Sequence, residues 1–557
     1  MKRDLGRLST GEFDILIIGG GIYGLFLAWD AVLRGYTVAL VEKGDFGSGT
    51  SAASLKIIHG GLRYLQSANF HLMQLMKQEQ RIFMHIAPHI IHPLACIIPT
   101  YNTLTRGKLA FSIALGANNS ADWIGNRNQR KDKALAYGQM LTKEEYQNLF
   151  PGIKPDRITG GALWSEAFIE NPNRLVMSIL HSAIAVGAQL ANYVEVVGLL
   201  NKDNHIKGVV ARDNLSGQEF HINTKMVINS AGAWVDDILN FSNCTKSPVP
   251  RFRRSIAFNI VTRRVIPSGQ LVGFPSRPDT SGLNNHTGLG PTLFALNWGK
   301  YSLLGTKHIP DGELPISEQV LQDFLNEVNS GFPAAGLTLD DIVDVLWGYL
   351  PMEKPKSSSE EIKLVRDIQI IDHEKEDGIL GLITVIGVRY TLARNIAQRA
   401  IDLVTNKLNR HVDPCQTRTK PVFGGDIPHI DKFLNDAYVN DAHGLDKTVI
   451  DPMVRAYGTE YLQVLNILRE DQTFIEVLEG NQSVLKAEIV HAVREEMACT
   501  IGDVICRRTE LAPIGPVDNN ILTTCAEIMA NELGWNHERT QKELHSFRNR
   551  TAIKLPF

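Results

Sequence analysis

Cysteine is scarce in this chain of 557 residues, which contains six cysteines and no C-x-x-C pair. Disulfide-stabilised folds and zinc knuckles place cysteines at short, regular spacings. The dispersed cysteines therefore argue against both, and we expect them to be reduced thiols that are mostly buried. No metal site is predicted.

An excess of charge of one sign is also lacking. Lys and Arg together number 57 and Asp and Glu number 60, so the formal net charge is −3. A protein that binds nucleic acid needs a positive field to hold the phosphate backbone. The balance of charge therefore argues against a nucleic-acid partner.

Long apolar runs are absent as well. The most apolar stretch, 85–100, is interrupted by histidines and prolines, whereas a membrane-spanning helix needs about 20 largely apolar residues. The N-terminal segment has no apolar run ahead of a small-residue cleavage site, as a secretory signal would have. The sequence therefore predicts a cytoplasmic protein without a membrane-spanning helix.

The composition that is present, 44% hydrophobic and 21% charged residues, is typical of a soluble globular protein. Its length predicts about two or three domains. Strand-like and helix-like segments alternate over 12–410, which favours an α/β fold. The periodicity is lost over a linker at 411–430, and the pattern beyond it predicts an all-helical C-terminal domain at 431–557.

A glycine-rich turn follows the first predicted strand. Gly19, Gly21 and Gly24 form a G-x-G-x-x-G motif that leads into a helix, and Glu42 ends the second strand. Such glycines permit a tight turn, close approach to a pyrophosphate and packing of the helix on the strand. A carboxylate at Glu42 accepts hydrogen bonds from ribose hydroxyls and repels a 2′-phosphate. The unit therefore predicts an adenine dinucleotide, FAD or NAD rather than NADP.

Two later segments bear on the choice between FAD and NAD. A further strand ends at Ala231 and Gly232, where small residues permit backbone approach to a cofactor, although an ordinary turn explains these residues equally well. Hydroxyl side chains are concentrated just after the second strand, in a loop that can line a large polar cofactor. These hydroxyl residues are Ser48, Thr50, Ser51 and Ser54.

The chain resembles the FAD-dependent glycerol-3-phosphate dehydrogenases, within the D-amino-acid-oxidase-like flavoenzymes. The resemblance runs nearly the whole chain and rests on the dinucleotide motif and on several further segments. These segments are TSAASLKIIHGGLRYL (50–65), NSAGAW (229–234), LLGTKH (303–308), IGVRYTLARNIA (386–397), TRTKPVFGG (417–425) and the C-terminal VREEMACTIGDVICRRT (493–509).

The resemblance implies FAD as the cofactor and a Rossmann-like FAD-binding domain with an inserted antiparallel-sheet substrate domain, followed by the helical C-terminal domain. The flavin domain would comprise about 12–95, 160–250 and 345–410, and the substrate domain about 96–160 and 250–345.

The resemblance also implies roles for single residues. His59 would lie beside the flavin ring, and Arg63 and Tyr64 would line the substrate pocket. Four residues would approach the pyrimidine edge of the flavin, where a cation stabilises negative charge. These four are Gly387, Arg389, Tyr390 and Thr391.

The pocket departs from the family pattern at several positions. Leu350 stands where the family carries an arginine, and Phe258 falls near the place of a histidine. Loss of an arginine removes a charge-assisted phosphate contact of about 1.5–3 kcal/mol. Lys307 and Arg254 are candidates to replace that charge. His308, with His59, is a candidate for a polar catalytic role.

The predicted reaction is the oxidation of glycerol 3-phosphate to dihydroxyacetone phosphate, with a quinone or another compound as electron acceptor. One alternative is a flavin dehydrogenase or oxidase that acts on another phosphorylated, acidic or amine substrate. Another is a catalytically silent flavin-binding protein with a role in assembly or regulation.

The basic and apolar segment 105–125 predicts a peripheral contact with the cytoplasmic face of a membrane, and an ordinary core helix is the alternative. The sequence leaves open whether the protein is a homodimer.

Overall fold

The computed structural model of the protein describes residues 1–552 except for several short segments. The segments that it does not describe are 63–68, 104–105, 128–132, 154–157, 242–250, 268, 277–290, 312–315, 354–364, 366–368, 479–482, 510 and 512–516.

The described strands form two sheets, one of eight strands and one of nine. The strands are β1 (Glu12–Ile18), β2 (Val38–Val41), β3 (Ile57–Ile58), β4 (Ile91–Tyr101), β5 (Gln139–Leu141), β6 (Ile158–Ile169), β7 (Gln189–Ala191), β8 (Val194–Lys202), β9 (His205–Asp213), β10 (Glu219–Asn229), β11 (Arg253–Arg263), β12 (Leu271–Pro275), β13 (Thr292–Trp298), β14 (Tyr301–Pro310), β15 (Ile342–Met352), β16 (Gln369–Asp372) and β17 (Leu382–Ile386).

The α-helices are distributed over the whole chain. They are α1 (Leu5–Thr10), α2 (Ile22–Leu33), α3 (Phe70–Ile86), α4 (Lys108–Asn126), α5 (Lys143–Leu149), α6 (Pro172–Ala185), α7 (Val235–Asn240), α8 (Glu318–Gly331), α9 (His373–Asp377), α10 (Ala393–Leu408), α11 (Ile430–Asp441), α12 (Lys447–Tyr457), α13 (Tyr461–Ile467), α14 (Lys486–Glu495), α15 (Ile501–Asp503), α16 (Asn519–Leu533) and α17 (His537–Ala552).

The first sheet has the strand order β16-β17-β10-β1-β2-β7, and the hairpin β8-β9 extends it beside β10. Strand β1 lies parallel to both β2 and β10. Helices α2, α6 and α10 share one hydrophobic cluster on one side of this sheet, and a second cluster covers the other side. Because both faces are covered, β1 ends in a continuous apolar run, Ile15–Ile18, and does not alternate there.

The second sheet has the order β15-β11-β14-β13-β12-β4-β6-β3, with β5 beside β6, and its pairs are antiparallel apart from β4 with β12. Helix α8 packs on one face, where Phe324 contacts Phe258. The central strand β11 pairs with β14 on one side and β15 on the other. Strands β6 and β15 carry this sheet into segments that the sequence assigned to the flavin domain.

In the described part of the chain after residue 430, the α-helices α11 to α17 enclose two hydrophobic clusters. The preceding linker is packed in place: Val422 is buried, its amide donates to the carbonyl of Ile86, and Gly424 accepts from the amide of Thr459. The α/β fold with an antiparallel-sheet insertion and a helical C-terminal domain is therefore confirmed. None of the described helices is long and apolar enough to cross a membrane.

Candidate functional site

The turn between β1 and α2 leaves its backbone open to a ligand. Gly19 has a φ of +104°, and a Cβ at Gly24 would overlap the carbonyl oxygen of Gly19. Gly21 is the N-cap of α2 and has no side chain of its own over the start of the helix, where Ser51 Oγ accepts from the amide of Ile22. The N-terminus of a helix attracts anions through the amides that remain free and through the positive end of its dipole. This turn can therefore hold a pyrophosphate.

Glu42 joins this turn to the end of β2. Its carboxylate accepts hydrogen bonds from the amide of Gly20 at 2.7 Å and from the amide of Gly44 at 2.9 Å. Burial raises the pKa of Glu42, although both amides favour its ionised form. The predicted hydrogen bonds from Glu42 to a ribose stay a prediction, but the side chain lies where such a group would meet the turn.

The loop that carries the predicted hydroxyl residues connects the two sheets. Ser51 Oγ accepts from the amide of Ile22 at 3.0 Å, so this hydroxyl caps the N-terminus of α2. Thr50 Oγ1 instead donates to the carbonyl oxygen of Tyr349 at 2.5 Å. Ser54 Oγ accepts from the amide of Lys56 at 3.3 Å within the loop itself.

Ser48 lies at the start of this loop, with its Oγ beside Gly44. Ser51 is thus the one of the four predicted hydroxyls that the described contacts place on the dinucleotide turn.

The carboxyl ends of three parallel strands meet at the turn, as Ile18 of β1 pairs with Val41 of β2 and with Asn229 of β10. The next residue of the chain, Ser230, donates from its amide to the carbonyl of Ile18 at 2.9 Å, and its own carbonyl lies against Gly19. Ala231 and Gly232 follow directly, so they lie at this edge of the sheet. Open α/β sheets bind their ligands at such an edge. Ser230 was not predicted as a site residue, although it directly precedes the predicted pair.

The segment that follows β17 also reaches the start of α2. Gly387 packs against the hydroxyl of Tyr23, which donates to the carbonyl oxygen of Arg389 at 2.8 Å. Tyr390 Oη and Thr391 Oγ1 are buried and have no hydrogen-bond partner among the described residues. Burial raises the pKa of Tyr390. Such orphaned polar atoms fit a site that a polar cofactor completes.

One face of the second sheet lies against the loop that carries Thr50. Ala257 of β11 pairs with His308 of β14 and with Gly348 of β15, so the three form one row across the sheet. A Cβ at Gly348 would lie 2.7 Å from Thr50 Cα. On the same face, Asn259 Nδ2 donates to the carbonyl oxygen of Ala53 at 2.9 Å. His308 therefore lies on the face that meets the cofactor loop.

Leu350 lies in the next row of this face, opposite Ser255. The face therefore carries a neutral side chain at the position where the resemblance predicts an arginine of the family.

The structure corrects two expectations about the opposite face. Phe258 lies in the hydrophobic cluster under α8, with its ring centroid 5.4 Å from that of Phe324, so it does not take the place of a pocket histidine. Its neighbour Lys307 extends to the same side and forms a 2.7 Å ion pair with Glu327 of α8. Lys307 therefore does not replace the arginine missing at Leu350. The sequence alone could not show which face of a strand Phe258 and Lys307 occupy, because this depends on the register of strand pairing.

Arg254 lies beside the edge of the first sheet that carries Ala231 and Gly232. Its Nη2 donates to both carboxylate oxygens of Asp237 at 2.7 and 2.6 Å, and its Nε donates to the carbonyl oxygen of Ala233 at 3.0 Å. Its role as a replacement for the arginine stays a prediction.

A buried network holds the turn that contains His59. The amide of the next residue, Gly60, donates to Glu166 Oε2 at 2.5 Å, and Gln80 Nε2 donates to Glu166 at 2.8 Å and to the carbonyl of Ile58 at 2.7 Å. Burial raises the pKa of Glu166. Glu166 and Gln80 were not predicted, because neither belongs to a recognisable motif.

Arg63 and Tyr64, predicted to line the pocket, lie outside the described residues. The roles predicted for His59, His308 and Arg389 stay predictions.

Comparison with known proteins follows the same division of the chain. Residues 14–378 match the family model described as FAD dependent oxidoreductase, and residues 415–540 match that of the C-terminal domain of alpha-glycerophosphate oxidase. The glycerol-3-phosphate dehydrogenase of Synechocystis sp. is 29% identical over 98% of this chain and 97% of its own length. The mitochondrial glycerol-3-phosphate dehydrogenase of Mus musculus is 30% identical over 97% of this chain and 73% of its own.

Solved structures of FAD-containing enzymes are also similar to this chain. The glycerol-3-phosphate dehydrogenase from Bacillus halodurans, complexed with FAD, is similar with a TM-score of 0.76 and 25% identity, over 99% of this chain and 96% of its own. The L-alpha-glycerophosphate oxidase from Mycoplasma pneumoniae, with FAD bound, has the same fold with a TM-score of 0.52 and 17% identity, over 74% of this chain and 98% of its own.

Proposed function

Because the chain belongs to the family of FAD-dependent oxidoreductases, with FAD as its cofactor, we propose that it oxidises glycerol 3-phosphate to dihydroxyacetone phosphate and passes the electrons to a quinone or another acceptor. The observation that carries the substrate is the full-length similarity to glycerol-3-phosphate dehydrogenases, which includes the C-terminal domain. The family match confirms the predictions of FAD and of an oxidoreductase.

The residues that would hold FAD are suited in their chemistry to its separate parts. The glycine turn can take the pyrophosphate, Glu42 the ribose, and the segment with the orphaned Tyr390 Oη and Thr391 Oγ1 the polar edge of the ring system. When bound, FAD supplies the acceptor for the hydride that leaves the substrate carbon.

His308 is the group that we assign to the substrate hydroxyl. It lies on the face of the second sheet that meets the cofactor loop, and an imidazole nitrogen can accept the hydroxyl proton near neutral pH. Arg63 is the group that we assign to the phosphate, because a guanidinium binds phosphate oxygens bidentately. The alignment of the substrate carbon by these two groups would provide much of the rate enhancement.

The neutral side chain of Leu350 favours a specific alternative, a substrate without a phosphate. Anaerobic titration of the holoenzyme with glycerol 3-phosphate, with glycerol and with other hydroxy and amino acids separates the two, with flavin absorbance followed at about 450 nm. We expect bleaching by glycerol 3-phosphate and none by glycerol. Bleaching by another compound alone would replace the substrate, and bleaching by none would favour a catalytically silent flavoprotein.

We further propose that α4 rests on the surface of an anionic membrane. Its outward face exposes Leu109, Ile113 and Ile124 by 74%, 65% and 65%. The exposed charges of α4 and its flank are Lys108 and Arg127, while the one acidic residue of the helix is buried. An apolar stripe with cations at its ends is typical of helices that lie in the interface of anionic bilayers. The predicted peripheral location on the cytoplasmic face is compatible with this helix and stays a prediction.

A further inference from the structure

The loop 42–48, here called the Asp45 loop, lies directly behind the dinucleotide turn. It contacts Gly20 at both ends, since the carboxylate of Glu42 accepts from the Gly20 amide at 2.7 Å and the amide of Gly47 donates to the Gly20 carbonyl at 3.0 Å. Between these two contacts lies Asp45, whose side chain is turned away from the turn and is 2% exposed. The position of this loop therefore fixes the position of Gly20.

The partners of Asp45 come from the C-terminal domain. Arg508 binds the two carboxylate oxygens through Nη1 and Nη2 at 2.6 and 2.7 Å, and Arg507 Nε donates to the same carboxylate. Asn192 Nδ2 donates to it at 2.9 Å. Burial alone would raise the pKa of Asp45, but Arg508 and Arg507 hold this pKa well below its ordinary range.

The two arginines are themselves fixed. They end the π-helical turn Val504–Arg508 that follows α15. Arg507 Nη2 donates to Asp503 at 2.5 Å, and Arg508 Nε donates to the carbonyl of Glu496 at 3.0 Å. Both guanidiniums are nearly or fully buried, so they cannot leave Asp45 without the exposure of an unpaired charge or the separation of the domains.

We propose that the C-terminal domain completes the FAD site from behind, with Arg507 and Arg508 as positioning residues that hold the Asp45 loop against Gly20. Binding of FAD and docking of the C-terminal domain then strengthen each other by the same factor, because linkage between two binding equilibria is reciprocal. This inference rests on FAD as the cofactor and is independent of the substrate.

Variants test the proposal through the affinity for FAD, measured from the fluorescence of flavin released by the holoenzyme. We expect Asp45→Asn and Arg508→Met each to raise the Kd for FAD by about tenfold or more. In the double variant Asp45→Asn/Arg508→Met, the Kd for FAD should rise by far less than the product of the two single increases, because both changes break the same contact.

Arg494→Met is the matched control. Arg494 lies in the C-terminal domain and donates to Glu532 through Nε and Nη2 at 2.6 and 2.8 Å, and the described contacts of its side chain include neither the Asp45 loop nor Arg508. We expect it to lower the melting temperature but to change the Kd for FAD by less than about threefold. An equal loss of FAD affinity at equal loss of stability in Arg494→Met and Arg508→Met would overturn the proposal, as would an unchanged Kd in both Asp45→Asn and Arg508→Met.

Hydrogen exchange on the wild-type protein gives a test that needs no variant. FAD should slow the exchange of amides in the peptide that covers 501–508, although these residues belong to the C-terminal domain. Exchange of this peptide at the same rate in the apoprotein and the holoenzyme would contradict the coupling.

Discussion

The alternation of side chains along β14 separates two neighbouring residues with different roles. His308 lies in the row with Ala257 and Gly348, on the face that meets the cofactor loop, while Lys307 points to α8 and pairs with Glu327. Successive side chains of a strand point to opposite faces of the sheet. Lys307 therefore contributes its charge to the packing of α8, whereas His308 lies on the face that meets the cofactor loop.

This difference predicts opposite outcomes for two adjacent substitutions. His308→Gln should lower kcat/KM for glycerol 3-phosphate by about a hundredfold or more, because it removes a group that takes up a proton. Lys307→Gln should change kcat/KM by less than about threefold and reduce stability by up to about 1 kcal/mol, as the loss of a partly exposed ion pair does. Steady-state assays at equal FAD content measure both, and full activity of His308→Gln would refute its assignment.

The dinucleotide turn leads to a prediction about a single glycine. A Cβ at Gly21 would lie 3.2 Å from Ser51 Oγ, so the protein itself tolerates a side chain there with a small shift. The same side chain would stand between the N-terminus of α2 and a pyrophosphate. Gly21→Val should therefore give a folded, colourless protein, as judged by circular dichroism and flavin absorbance.

Gly116→Val is the control for this glycine, because Gly116 lies on the exposed face of α4 with open space around it. It should keep its FAD. A Gly21→Val protein with the wild-type flavin content would contradict the placement of the pyrophosphate.

Helix α4 is held to the protein by its inner face alone. Asp122 is fully buried and pairs with Lys77 and Arg81 of α3 at 3.2 and 2.9 Å, while Leu109 and Ile113 remain exposed. Replacement of exposed side chains therefore leaves the packing of the helix intact and changes the outward surface only.

The double variant Leu109→Ser/Ile113→Ser should bind anionic vesicles at least about tenfold more weakly than the wild type, because apolar burial supplies part of the affinity. Flotation at low salt measures this. Val439→Ser, at a residue 68% exposed on α11, is the control and should float like the wild type. Equal flotation of all three proteins would contradict docking through α4.

Elements with a strong local signal could be predicted from the sequence, and those set by register could not. The glycine spacing identified the turn between β1 and α2, and a period of about four residues identified the helices after residue 430. The faces of β11 and β14 depend instead on a pairing with a register shift between Phe258 and Asn259. Since a shift of one residue reverses every side chain, Phe258 and Lys307 could not be placed correctly.

The contacts that join the domains are the hardest to predict from the sequence. Asp45 and Arg508 are 463 positions apart, and neither belongs to a motif from which the other could be predicted as its partner. Their pairing follows from the packing of a helical domain on the back of a nucleotide site. No local pattern encodes it.

The interior also contains histidines that are held neutral. His89 is fully buried, and neither ring nitrogen has a hydrogen-bond partner among the described residues. Burial, together with the charges of Arg174 and Lys133, lowers the pKa of His89 to about 3. An unfolded chain has an ordinary histidine pKa of about 6.5, so between these two values the unfolded state binds more protons than the folded state.

Acid should therefore destabilise the protein progressively below a pH of about 6.5, and His89 alone should contribute a loss of about 2 kcal/mol between pH values of about 7 and 5. His89→Leu removes this contribution, so its melting temperature should fall less on acidification than that of the wild type. His71→Leu, at an exposed position of α3, should show the same fall as the wild type. Thermal unfolding at both pH values measures the difference, and an identical fall in His89→Leu and the wild type would show that His89 does not contribute to the acid sensitivity.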